Sequence, residues 1–192
     1  AASDVYKRQV YDNTPWVTLL YEDILMSATP ELTHIKVARS YLGLTEIKAS
    51  NKHPTIDAWA KTLSGKWLIG QPWCGTFCAQ VFKEAGLGHK MPKEFFRAKA
   101  WENAGTKLDK PAYGCIVTFT RDGGGHVGFV VGKTSKGNLK VLGGNQSNQV
   151  NIMDFDPSRV TSYRWLSSGT VPHDHRYELP ILPAGTISTN EA

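Results

Sequence analysis

Cys74 stands where a cysteine is readily made into a nucleophile. In the run QPWCGTFCAQVFKEAGL, the turn residues Gln71, Pro72 and Trp73 break directly into a helical pattern. Apolar residues recur at Cys74, Phe77, Cys78, Val81, Phe82 and Ala85, and Gly86 supplies a stop. A cysteine in the first turn of a helix faces unpaired N–H groups and the positive end of the macrodipole. That setting favours thiolate, the reactive form of the side chain. About fifty residues on, GGGHVGFVVG opens a strand-like run with His126. An imidazole on a neighbouring strand is the natural base for such a thiol, so the pair predicts nucleophilic thiol chemistry.

A third group would fix the imidazole. Alternation places His126, Gly128 and Val130 on one strand face, and Leu139, Val141, Gly143 and Asn145 on one face of the next. Asn145 is therefore expected beside His126 as the orienter of its tautomer. Gly128 is expected to leave room for a helix end. The reaction would be acyl transfer: Cys74 attacks an amide carbonyl and helix-start N–H groups hold the oxyanion, with Gln71 as a side-chain donor. Trp73, next to the nucleophile, is a candidate substrate contact, as is Gln146. Cys78 and Cys115 read as buried apolar side chains. The tail histidines His173 and His175 lack further ligands, and no metal site or cofactor is expected.

The elements that must position these groups fall in two halves. Helices are predicted over 15–29, over 31–43 with Gly43 as stop, from Pro54 through Leu63, from Cys74, and over about 94–104. A polar loop, EIKASNKHP, separates the second from the third. After Pro111, GCIVTFT, HVGFVVG, NLKVLGG, QVNIMDF and RVTSYRWL read as short strands, with a hairpin at KTSKGN. Helices followed by strands predict an α+β domain with an antiparallel sheet of five to six strands. Residues 1–14 are set aside as disordered or as a cloning or assembly scar. The expected domain spans 15–168, and 169–192, rich in Pro, Gly, Ser and Thr, reads as a loose tail.

Composition narrows the classes. The chain has 192 residues, 41% of them hydrophobic, enough for a core, and no run of about 18 apolar residues to span a membrane. Its three cysteines do not make a disulfide framework. The net charge of +5 suits a polyanionic partner. The basic residues are scattered singly, without a nucleic-acid motif, so nucleic acid is not the expected partner.

PWCGTFCAQVFKEAGL, AYGCIVTFTRDGGGHVGFVVG and LKVLGGNQSNQVNI together resemble the CHAP-type amidases and peptidases of phage and bacterial peptidoglycan hydrolases, over roughly residues 31–166. LGLTEIKASNKHPTIDAW, including Glu46, resembles the lead-in of such lysins. The resemblance implies a papain-like fold related to NlpC-type peptidases, with Cys74 as nucleophile, His126 as base and Asn145 as orienter. It implies an endolysin-like enzyme, amidase or endopeptidase. Such an enzyme would be made in the host cytoplasm, act on peptidoglycan as a monomer and need no cofactor. Gln71, Trp73, Gln146 and Glu46 complete the candidate substrate and oxyanion set. One departure stands out: many CHAP domains carry a glutamate where LGGNQ has glycine. Either Asn145 suffices, or a remote acid such as Glu46 or Asp122 contributes, or activity is weak. The alternatives are a non-catalytic wall- or glycan-binding module on the same fold, and an antibacterial toxin amidase with the same chemistry.

Overall fold

Among the described residues three α-helices precede the sheet. Helix α1 (Thr33–Ser40) buries His34, Ile35 and Ala38, and the chain turns at Gly43 as expected. Helix α2 (Pro54–Leu63) starts on its proline, which donates no N–H and loses nothing in a first turn. Helix α3 (Cys74–Glu84) is buried on every side from Cys74 to Phe82, as its nearly unbroken apolar and small composition requires. It stops where Gly86 takes φ +74, a left-handed conformation that costs glycine no Cβ clash.

The computed structural model describes residues 30–46, 53–63, 66–121 and 123–189. The expectations for residues 1–14, the helix over 15–29 and most of the polar loop (47–52) lie outside these residues, as does Asp122. Leu32–Ala192 form one unit; of the other, Ala1–Glu31, only two residues are described.

Six strands follow: β1 (Thr106–Leu108), β2 (Ile116–Arg121), β3 (Gly124–Lys133), β4 (Leu139–Gln146), β5 (Gln149–Phe155) and β6 (Val160–Trp165). They form one antiparallel sheet in the order β1-β6-β2-β3-β4-β5. The fold is the expected α+β, papain-like arrangement of few helices followed by a sheet. Strand β1 has only three residues, too short for alternation to register. The helix expected over 94–104 is a 3₁₀ segment, Ala98–Asn103, fixed by buried Trp101, whose indole N–H donates to Phe95 O at 2.8 Å.

Helix α3 lies against the centre of the sheet. Phe77 and Phe82 meet Phe129 of β3, with ring centroids 6.3 and 5.7 Å apart. The helix approaches β4 closely because Gly144 has no side chain: a Cβ there would lie 2.6 Å from both Phe77 Cβ and Trp73 Cζ3. Gly128 does not serve the helix, contrary to expectation. Its missing Cβ is matched by the Val141 side chain of β4, at 2.6 Å.

The C-terminal segment is not loose across its described residues. Leu182 N donates to Lys133 O, Asp154 N to Thr186 O, and Ser188 N to Asp154 O. Lys140 Nζ and Asp154 Oδ1 form a buried ion pair at 2.5 Å, while Asp154 Oδ2 accepts from Gly185 N. A buried carboxylate needs such partners, because desolvation of an unpaired charge costs several kcal/mol or about that order. Composition predicted a loose tail here, but backbone pairing with the sheet supplies what the side chains lack.

Candidate active site

The turn before α3 holds Cys74 at the helix start. Gln71 N bonds Leu68 O, and Phe77 N bonds Trp73 O to close the first helical turn. Trp73 occupies the cap position and offers no side-chain acceptor, so no side chain caps the first N–H groups. Cys74 is 5% exposed. Its sulfur accepts from the N–H of Val127, the residue after His126, and lies within reach of the N–H groups of Gly75 and Cys74 itself.

Burial pushes the Cys74 thiol above its ordinary value, and this outweighs the lowering effects of the Val127 N–H, the Arg121 charge and the helix-start N–H groups. The helix start therefore acts on the sulfur as expected but does not leave a resting thiolate. Desolvation disfavours the charged form more than these groups favour it. Alkylation of Cys74 by neutral iodoacetamide should accordingly keep climbing with pH well into the alkaline range, beyond where an ordinary thiol levels off and without a plateau near neutrality. A plateau near neutral pH would mean a thiolate at rest.

His126 is 1% exposed and held on three sides. Its ring stacks on Phe155, centroids 5.4 Å apart and 7° from parallel, and on Phe119 at 6.4 Å and 30°. Its Nε2 lies 3.1 Å from Gln146 Oε1. The Gln146 amide can turn only one way. Its nitrogen donates to Asn151 Oδ1 at 2.7 Å, Asn151 O at 2.9 Å and Val141 O at 3.3 Å. Oε1 must then accept, so Nε2 of His126 carries the proton and Nδ1 is the basic nitrogen.

The side-chain amide on this imidazole is that of Gln146, where alternation predicted Asn145. The register Phe129↔Leu142 and Val130↔Val141, continued along the strands, would set Asn145 opposite His126. A bulge in β4 between Gly143 and Gln146 breaks the alternation, and Asn145 takes φ +58. One added residue turns the following side chain to the opposite face, so Gln146 comes to the face of Gly143. Gly143 is the gap that admits it. A Cβ at 143 would lie 2.5 Å from Gln146 Oε1 and 3.2 Å from His126 Nε2.

Asn145 instead lines a pocket of about 140 Å³ with Glu46, Gly70, Gln71, Pro72, Trp73 and Asn148. Trp73 Nε1 donates to Glu46 Oε2 at 3.2 Å, which fixes the carboxylate there. Glu46, Gln71, Trp73 and Asn145 thus share one pocket at the start of α3, and His126 and Gln146 are buried together on the Gly143 side of β4, outside the pocket lining. Three contributors escaped sequence reading. Asn151 and Phe155 of β5 act through the fold, the one on the amide and the other on the ring. Arg121 lies five residues before His126, and only a hairpin register brings its charge to the thiol.

Residues 66–145 match the family model described as CHAP domain. The match takes in Cys74, His126 and Asn145; a CHAP domain is generally a cysteine- and histidine-dependent amidase or peptidase. No curated protein and no solved structure matches the chain. No helix among the described residues is long and apolar enough to cross a membrane.

Proposed function

With a CHAP domain as the premise, we propose that this protein is an endolysin-like enzyme that hydrolyses an amide bond in the peptide part of peptidoglycan through a Cys74 acyl-enzyme. The observation that carries the reading is the fixed imidazole: Gln146 Oε1 at 3.1 Å from His126 Nε2, with the Cys74 sulfur under the N–H of Val127.

The steps follow from a resting thiol. His126 Nδ1 takes the thiol proton as sulfur attacks the carbonyl carbon. The oxyanion forms at the uncapped start of α3, where backbone N–H groups and the Gln71 side chain donate to it. Its collapse breaks the C–N bond, and the imidazolium gives its proton to the departing amine. Water then attacks the thioester with His126 again as base, releasing a carboxylic acid and restoring the thiol. Gln146 holds the tautomer throughout, in the role first expected of Asn145. Asn145, Glu46 and Trp73 line the pocket that receives the substrate.

The experiment is digestion of purified bacterial walls, with mass spectrometry of the released muropeptides. The expected products carry one new amine and one new carboxyl per cut, at one bond type. Walls that retain the protein and yield neither group would identify a binding module instead.

A further inference from the structure

We propose that Arg121 forms a carboxylate-binding subsite at the tip of the β2–β3 hairpin, holding an anionic group of the wall peptide beside the reacting thiol. The inference rests on the hydrolase reading for the identity of the substrate. In the hairpin register Phe119 pairs with His126, Thr120 with Gly125 and Arg121 with Gly124. Paired residues share a face, as do residues two apart on a strand. The Phe119–His126 stacking fixes which face this is. Arg121 therefore springs from the His126 face, about 7 Å further along the strand.

The arginine is half-buried, and its Nε is enclosed yet has no hydrogen-bond partner. Among the described residues no carboxylate forms an ion pair with it. Enclosing a guanidinium donor without a partner is unfavourable, and a ligand acceptor would offset that cost. The described glycines of the turn leave room beside it. A Cβ at Gly123 would meet nothing within 4 Å, and one at Gly124 would meet only Arg121 Nε, at 3.7 Å. The guanidinium fork matches a carboxylate with two parallel N–H bonds, and its charge reaches the Cys74 sulfur. Arg121 stands outside the pocket that holds Glu46. A carboxylate is thus attracted at the hairpin and repelled at the pocket, which sets the direction in which a peptide lies across Cys74.

The test uses the full chain with Cys74→Ala, so that substrate is bound and not consumed. Calorimetry would compare a muropeptide bearing free carboxylates with the same muropeptide fully amidated. With Arg121 present, amidation should weaken binding roughly tenfold or more. With R121Q added, the two ligands should bind alike, at the weaker affinity. Equal affinity for both ligands in the Arg121 protein overturns the subsite, as does discrimination that survives R121Q. The two proposals fail separately. Wall hydrolysis by the Cys74 protein with no carboxylate discrimination sinks the subsite and spares the hydrolase. Discrimination without hydrolysis does the reverse.

Discussion

Cys74→Ala should leave a folded protein that binds walls and releases no new amine from them. The expected loss in kcat is on the order of 10⁴-fold or more, because the acyl-enzyme path has no other nucleophile. Cys78 cannot substitute. Burial, with the neighbouring Cys74 adding to it, drives the Cys78 thiol well above its ordinary value, and the side chain is fully enclosed. Cys115 is pushed up to about 12 by burial and is likewise enclosed. Removing one buried sulfur should cost the fold about 1 kcal/mol, the order of a small large-to-small change. The measurement is amine release from purified walls beside the thermal midpoint of the variant. Undiminished release by a folded Cys74→Ala protein would refute the mechanism.

The second large effect concerns Gln146. Gln146→Ala removes the acceptor on His126 Nε2 and frees the ring to take the unproductive tautomer. The loss in kcat should be on the order of 10²–10⁴-fold, the range for a misplaced general base. KM should move little, since the amide faces the imidazole and not the pocket. Gln146→Glu separates tautomer from charge. A carboxylate would still accept from Nε2–H and would also stabilise imidazolium. The protonated ring then persists to higher pH, and the acid limb of the rate profile should shift upward. Restored kcat with a raised acid limb is the result expected. Equal loss in both variants, with no shift, would mean that Gln146 only fills space.

How much of this is legible in the sequence depends on the kind of local order involved. The start of α3 and the start of β3 are readable, because each follows turn residues and then runs with a regular period. The same holds for the proline that opens α2. A bulge is invisible to periodicity. The β4 run LKVLGGNQ alternates well until Gly143, and nothing in the letters says that Asn145 will turn left-handed and bring Gln146 to His126. The state of the thiol is equally hidden. A helix start can be read, but the enclosure of Cys74 by a distant strand is set by packing.

The absent glutamate takes on a different sense in the structure. The space before Nε2 is filled: Gly143 gives up its side chain so that Gln146 can reach across the bulge. The third group is therefore an amide, supplied from three residues further along the chain. A neutral partner suits a site whose sulfur is protonated at rest.

The strap formed by residues 181–188 bears on a different property, solubility. Strand β5 ends the sheet; residues 43–45 pair with its start at Gln149 and Val150, and without the strap the outer N–H and C=O groups at its far end would stand open. Such an edge is a template for pairing with another chain. Thr186 and Ser188 occupy that row at Asp154, and Ile187 bridges to it in parallel. At the opposite end, β1 is only three residues long and gives little purchase. A shortened chain ending at residue 168, the boundary that composition alone would recommend, uncovers the Asp154 end of β5 and turns a protected edge into a site of self-association.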